Sequence, residues 1–177
     1  MDERNNDYYT EESEINYMEE SDKKYKWIRT LIICIVIPLC VGLLSYLSTG
    51  GAMRAFDTMN KPPLSPPAWL FSVAWIILYI LMGIGSFAIV TSKKKGKGVL
   101  IAVYGIQLFF NFLWSPVFFV GKLYWFALIW LLLMWAMIIY MIVKSSKVSK
   151  FAMICFIPYV VWTTFAAYLN LGIAILN

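Results

Sequence analysis

Charged residues are absent from five stretches of the chain: Thr30–Met53, Pro62–Ser92, Gly98–Gly121, Leu123–Val143 and Phe151–Asn177. Each reaches the roughly 20 residues a helix needs to cross a bilayer core. The pattern predicts an all-α fold, an integral membrane bundle of five transmembrane helices, with spans at about 28–49, 67–92, 98–119, 123–143 and 151–175. Folding the chain back at every gap places Arg4, Lys23, Lys24, Lys26, Arg29, Lys93, Lys94, Lys95, Lys97, Lys144, Lys147 and Lys150 on one side. Arg54, Lys61 and Lys122 fall on the other. Twelve against three is a positive-inside signal, so the N-terminus is expected in the cytoplasm.

The gaps differ in character. Lys93–Lys97, Gly121-Lys122 and Lys144–Lys150 are short enough to force neighbouring helices antiparallel. The first outer loop, about Thr49 to Pro67, is long and carries Gly50-Gly51 and then Pro62-Pro63-Leu64-Ser65-Pro66-Pro67. A proline run is stiff and extended, which predicts a shaped lid or collar. Pro66 and Pro67 also suit the first turn of the second span. Trp27, beside Lys23–Lys26 and Arg29, marks the inner interface before the first span.

Composition narrows the function. At 61% hydrophobic and 18% aromatic residues, the chain is too apolar for an ordinary soluble domain. Nine of its ten acids precede Lys23, while fourteen basic residues and the single acid Asp57 follow. The basic excess is therefore topology and lipid-headgroup contact, and nucleic acid is not an expected partner. Residues 1–26 read as an acidic, disordered cytoplasmic tail, ahead of a transmembrane domain over 27–177. The start lacks the positive charge and apolar core of a signal peptide. The chain has no histidine, the commonest haem and metal ligand, and Cys34, Cys40 and Cys155 match no zinc or redox spacing. No metal site is expected.

Neutral polar residues and tryptophans then carry the candidate chemistry. Gln107, Asn111 and Trp114 are spaced by four and three, on one face of the third span. Two carboxamides in hydrocarbon need partners. They are either interhelical glue or the polar patch of a ligand cavity. The fifth span offers Trp162, Ala166 and Asn170, and the second Trp75, Tyr79 and Gly83, each at spacing four. Such a lining suits an aromatic, mostly apolar ligand. Trp125, Trp130 and Trp135 of the fourth span have no polar companion and read as packing or lipid contact.

Three blocks resemble the tryptophan-rich sensory protein family (TspO, with the mitochondrial translocator protein or peripheral benzodiazepine receptor). They are Lys61-Pro62-Pro63-Leu64-Ser65-Pro66-Pro67-Ala68-Trp69 with Trp75 and Leu78-Tyr79; Gln107, Asn111, Trp114, Pro116 and Phe118-Phe119-Val120-Gly121; and Pro158-Tyr159, Trp162, Phe165-Ala166 and Leu169-Asn170. The likeness runs from about Ile37 to Asn177. It implies a five-helix bundle, often a homodimer, that takes protoporphyrin IX and other aromatic ligands in a pocket opening toward the first loop. Trp75 and Trp162 match pocket tryptophans linked in some members to light-dependent porphyrin breakdown. Gln107, Asn111 and Trp114 match the polar wall, and Pro66 and Pro67 the collar. Two departures stand out. The last residues, Leu169 to Asn177, lack the Tyr and Lys or Arg of the proposed sterol motif, and Trp130 stands where some relatives have an acid.

The leading expectation is a multi-pass receptor or sensor for porphyrin-type ligands, in a bacterial plasma membrane and in contact with membrane lipid. The ligand-binding set is Trp75, Tyr79, Gln107, Asn111, Trp114, Trp162, Ala166, Asn170, Pro66 and Pro67. No resident cofactor is expected, and without histidine metal-free porphyrin is expected over haem. A second reading is photo-oxidative porphyrin degradation through Trp75 and Trp162. A third is tetrapyrrole, lipid or sterol transport, disfavoured by the lack of ionisable groups in the spans. Gly83 and Gly85 are two apart and make no small-xxx-small signature, so a homodimer rests on the resemblance alone.

Overall fold

A computed structural model describes residues 3–52, 56 and 58–177. Arg54 and Asp57 of the first loop and Asp2 of the tail lie outside the described residues. In chain order come α1 (Glu3–Ser48), α2 (Ala68–Val90), α3 (Lys97–Ser115) with a π-helical turn (Pro116–Val120), α4 (Tyr124–Val148) and α5 (Lys150–Leu176). Among the described residues five helices are long and apolar enough to cross a membrane. The chain is an all-α, multi-pass membrane protein.

The structure divides into two units, Met1–Ile33 and Cys34–Asn177. The first differs from the disordered tail expected over 1–26, since α1 already begins at Glu3. Extending an existing helix adds one hydrogen bond per residue ordered, whereas nucleating a new one is unfavourable. Helix-forming glutamates favour such an extension, and Glu19 pairs with Lys23 one turn on at 2.8 Å. The Lys23 ammonium holds the Glu19 carboxyl below its usual range. The pair is exposed, so it supports the helix only weakly.

In the second unit, glycines bring α2 close to two neighbours. A Cβ at Gly83 would stand 2.6 Å from the Ile35 Cα and 2.8 Å from the Cys34 carbonyl oxygen. One at Gly85 would meet Phe156 at 3.1 Å and Cys155 at 3.2 Å. The Cys34 carbonyl is also the one that Pro38, four residues on, leaves without a helical donor.

Pro116 poses the same problem in α3, because it cannot donate to the Phe112 carbonyl. Ser45 of α1 supplies the missing bond, its hydroxyl donating to Phe112 O at 2.9 Å. Beyond Pro116 the helix widens, with Gly121 N–H donating to Pro116 O at 2.9 Å. At the far end Lys97 caps α2, its ammonium donating to Val90 O and Ser92 O, both at 3.0 Å. Ser149 caps α5 by accepting from Ala152 N–H at 3.3 Å.

The first loop is fastened to the end of α5. Pro62 packs on Gly172, where a Cβ would come within 2.4 Å of the proline ring. Asn60 N–H donates to Asn177 Oδ1 at 3.2 Å, and Asn177 Nδ2 returns a bond to Asn60 O at 2.9 Å. Tyr168 OH donates to Pro63 O at 2.8 Å. The proline run is thus a shaped collar held at several points.

Candidate functional site

A cavity of about 440 Å³ lies at the first-loop end of this unit, reached by all five helices. Its size falls within the range usual for small-molecule sites. Helix α1 contributes Leu39, Gly42, Leu43, Ser45 and Tyr46; α2 contributes Phe71, Ser72, Trp75, Ile76 and Tyr79. From α3 and its π-helical turn come Asn111, Trp114, Ser115, Phe118 and Phe119, from α4 Met134, and from α5 Ala166, Leu169, Asn170 and Ile173. Phe56 of the first loop completes the wall.

The walls are rings braced on rings. Trp75 stacks on Tyr79 (centroids 5.6 Å apart, 30°) and meets Tyr159 edge-on at 6.1 Å. Trp114 stacks on Phe118 at 5.0 Å, and Phe118 meets Phe119 edge-on at 4.9 Å. Gly42 makes room for Tyr79, whose ring would come within 2.2 Å of a Cβ there. Such mutual bracing leaves few rotamers that could collapse into the void.

Behind the rings lies a buried polar network centred on Tyr159. Its hydroxyl oxygen accepts from Gln107 Nε2 and from Asn111 Nδ2, the latter at 3.0 Å, while its proton points to Met134 Sδ at 3.5 Å. Asn111 Oδ1 in turn accepts from Tyr79 OH. These are carboxamides held by neutral partners in hydrocarbon, where the alternative is a bare polar group. The network is unfinished. Gln107 Oε1, Trp114 Nε1 and Asn170 Oδ1 are buried without a hydrogen-bond partner, and so is Trp162 Nε1. Trp114 and Asn170 are wall residues of the cavity, and Asn170 Nδ2 is itself held by donating to Tyr124 O at 2.8 Å.

Of the ten residues expected from sequence, Trp75, Tyr79, Asn111, Trp114, Ala166 and Asn170 line the cavity. The other four do not. Gln107 is 0% exposed and lies in the network behind the wall. Trp162 packs edge-on against Phe71 at 5.6 Å, one ring removed from the void. Pro66 and Pro67 precede the first turn of α2, where Pro67 has the extended backbone of a helix N-cap. The collar contact on α5 belongs to Pro62 instead.

Sequence reasoning did not single out Tyr159, Phe118, Phe119 or the α1 wall as site residues. For α5 a signal existed. Spacing of four drifts about 40° per step on a helix of 3.6 residues per turn, so Trp162, Ala166 and Asn170 fan out. Tyr159, Thr163, Ala166 and Asn170, spaced four, three and four, stay on one face, and all four are buried. Trp130, expected as packing, stacks on Phe110 at 4.1 Å and donates to Phe110 O at 2.9 Å. Among the described residues no group of three His, Cys, Asp or Glu could hold a metal ion.

Comparison with known proteins agrees with this architecture. The pattern of the TspO/MBR family matches residues 34–176. The "Tryptophan-rich protein TspO" of Chlorobaculum tepidum is 36% identical over 155 residues, covering 86% of this chain and 98% of that one. The "Tryptophan-rich sensory protein" of Cereibacter sphaeroides is 36% identical over 133 residues (73% and 83%). The "Translocator protein" of Ovis aries is 34% identical over 124 residues (68% and 73%). Similarity thus reaches bacterial and animal proteins alike.

Proposed function

The chain belongs to the TspO/MBR family, and from that premise we infer that it is a membrane receptor or sensor for flat aromatic ligands of the porphyrin type. The observation that carries this reading is the 440 Å³ cavity, faced by braced indole and phenyl rings, with the carboxamide residues Asn111 and Asn170 among its wall. Burying a large apolar ring system supplies most of the binding free energy, and stacking on indole adds about 0.5–1.5 kcal/mol per contact. Lys61 lies 4.8 Å over the ring of Phe56, itself a wall residue. The bias of basic residues toward one side of the chain supports an outward-facing mouth.

The test is a dark titration of the detergent-solubilised protein with protoporphyrin IX, followed by tryptophan quenching. Saturable binding is expected, weakened about tenfold by Trp75→Ala and about tenfold by Trp114→Ala. Binding indifferent to both changes would overturn the reading. Light-scattering mass in the same detergent tests the homodimer that belongs to this reading. A monomer throughout the titration would remove it.

A second reading, light- and oxygen-dependent breakdown of the bound porphyrin, is favoured by one arrangement. Trp75 lines the cavity, and Trp162 is joined to it through the wall residue Phe71. Illumination of the loaded protein should then bleach the porphyrin, and Trp75→Phe should slow the bleaching more than it weakens binding. Equal rates in both proteins would remove that reading.

A further inference from the structure

The proline collar runs down the side of α5. Asn60 bonds Asn177 beyond the helix end, Pro62 packs on Gly172, and Pro63 O accepts from Tyr168 OH at 2.8 Å. Tyr168 stands nine positions before Asn177, a descent of about 13 Å at 1.5 Å per residue. Helical side chains lean toward the N-terminus, so the Tyr168 hydroxyl lies no nearer the end of α5 than its own backbone. Counted from the other end, Tyr168 is eighteen residues past Lys150, the charged residue that opens α5, or about 27 Å. That is within the roughly 30 Å of a hydrocarbon core, and any tilt of the helix brings it deeper. Tyr168 also faces outward. Val161, Thr164, Tyr168, Leu171 and Ile175, spaced three, four, three and four, are exposed along one uncharged stripe of α5. On a membrane span such a stripe meets lipid.

The residue that follows Pro63 at this depth is Leu64. It is 83% exposed, and its φ of 66° lies in the left-handed region that a leucine rarely enters. Glycine would take this turn without crowding a Cβ. Ser65 holds the turn by donating its hydroxyl to Pro62 O at 2.7 Å, between prolines whose φ is fixed. The bracing presents a bulky apolar side chain where a turn in water favours glycine or asparagine. Trp69, in the first turn of α2, is 65% exposed, and tryptophan favours the membrane–water boundary.

We propose that Leu64 is a lipid anchor: the collar dips its tip into the leaflet at the first-loop end, with Trp69 of α2 and Tyr168 of α5 as its companions at that depth. The same loop carries Phe56 into the cavity wall, so acyl chains packed around Leu64 steady the site from outside. This is independent of the porphyrin reading. The test uses the full chain in phosphatidylcholine nanodiscs, labelled in parallel by a lipid-dissolved aryl diazirine and by a charged, water-soluble one. Modified residues are located by mass spectrometry. The lipid-borne carbene is expected on Leu64 and Trp69, as on the α5 stripe, and the water-borne one on the exposed loop lysines Lys94 and Lys122. Leu64 marked by the water-borne reagent at the level of Lys94 overturns the anchor. So does Leu64 marked by neither, since protein would then cover it. The unmodified chain alone thus decides where Leu64 lies. Leu64→Asn removes the hydrophobe and tolerates the left-handed backbone. It should cut lipid-borne labelling over residues 62–65 roughly fivefold, and raise water-borne labelling of Asn60 about threefold as the collar lifts. Leu64→Met, which keeps an apolar chain, should match the parent with both reagents. An unchanged melting temperature confirms that each variant is folded. Labelling of the collar in Leu64→Asn that equals the parent's would overturn the holding role, because the loop would then keep its depth without the side chain.

Discussion

The two ends of the Cys34–Asn177 unit are built from different materials. Toward the basic loops the core is mostly aliphatic and thioether, with Met82, Ile89, Leu100, Ile138, Met141 and Val148 buried together. Under the first loop it is aromatic, with Phe56, Phe118 and Phe119 buried and Phe71, Trp114 and Tyr124 packed on them. Flexible side chains such as Met adapt to fill irregular gaps, while rings braced edge-on and face-on leave whatever space their shapes dictate. The cavity is at the aromatic end. There, rigid side chains stop the bundle from closing, and Asn111 and Asn170 give the wall its polar residues.

The sharpest way to break that contrast is to disturb the crossing both ends depend on. Gly83→Leu would drive a side chain into the backbone of α1 at Ile35 and Cys34. Backbone on both sides cannot yield as a side-chain tip can, so a loss of about 3 kcal/mol is expected, read as a fall in melting temperature in detergent. A variant that melts like the parent would mean that α1 can move away from α2 freely. Next comes Tyr159→Phe, which strips the acceptor from Gln107 Nε2 and Asn111 Nδ2 at once. Membrane hydrogen bonds average about 0.6 kcal/mol, so removing this hub should cost about 1–2 kcal/mol. It should also loosen Tyr79 through Asn111 and so weaken porphyrin binding. Stability lost with binding intact would show that the network is structural glue alone. Ser45→Ala is smaller again. It uncovers the Phe112 carbonyl that Pro116 has freed, at an expected cost of about 1 kcal/mol in melting.

Much of this was legible in the residues. The charge-free runs locate five helices because lipid excludes charge from every span, whatever the packing inside. Tyr79, Asn111 and Trp114 could be placed because helical spacing puts polar residues and rings on a common face. What sequence does not carry is which face turns to which neighbour. Trp162 and Gln107 share stripes with wall residues, yet one ring and one hydroxyl, Phe71 and Tyr159, stand between them and the void. Phe56 joins the wall from a loop that Pro62, Asn60 and Tyr168 bind to α5, contacts that span more than a hundred residues. The helical state of residues 3–26 was hidden for another reason. Their composition fits disorder, and their helix continues one ordered further along the chain.

The smallest effect sharpens the comparison most finely. Asn60 and Asn177 exchange hydrogen bonds at the exposed edge of the aromatic end, where water competes for every partner. Asn60→Ala should therefore cost about 0.5 kcal/mol or less, read as almost no change in melting temperature. The main-chain bond from Asn60 to Asn177 can persist, and Pro62 still sits on Gly172. What the side chain adds is a tie to Leu176 O at 3.4 Å, which limits how far Phe56 and Lys61 swing from the mouth. The expected signature is kinetic. Porphyrin should enter and leave Asn60→Ala faster in stopped-flow quenching, with both rates raised by a similar factor and the equilibrium affinity nearly unchanged. If instead the affinity falls while the rates of entry match, the strap shapes the wall itself, and the aromatic end owes its cavity to the loop as much as to its rings.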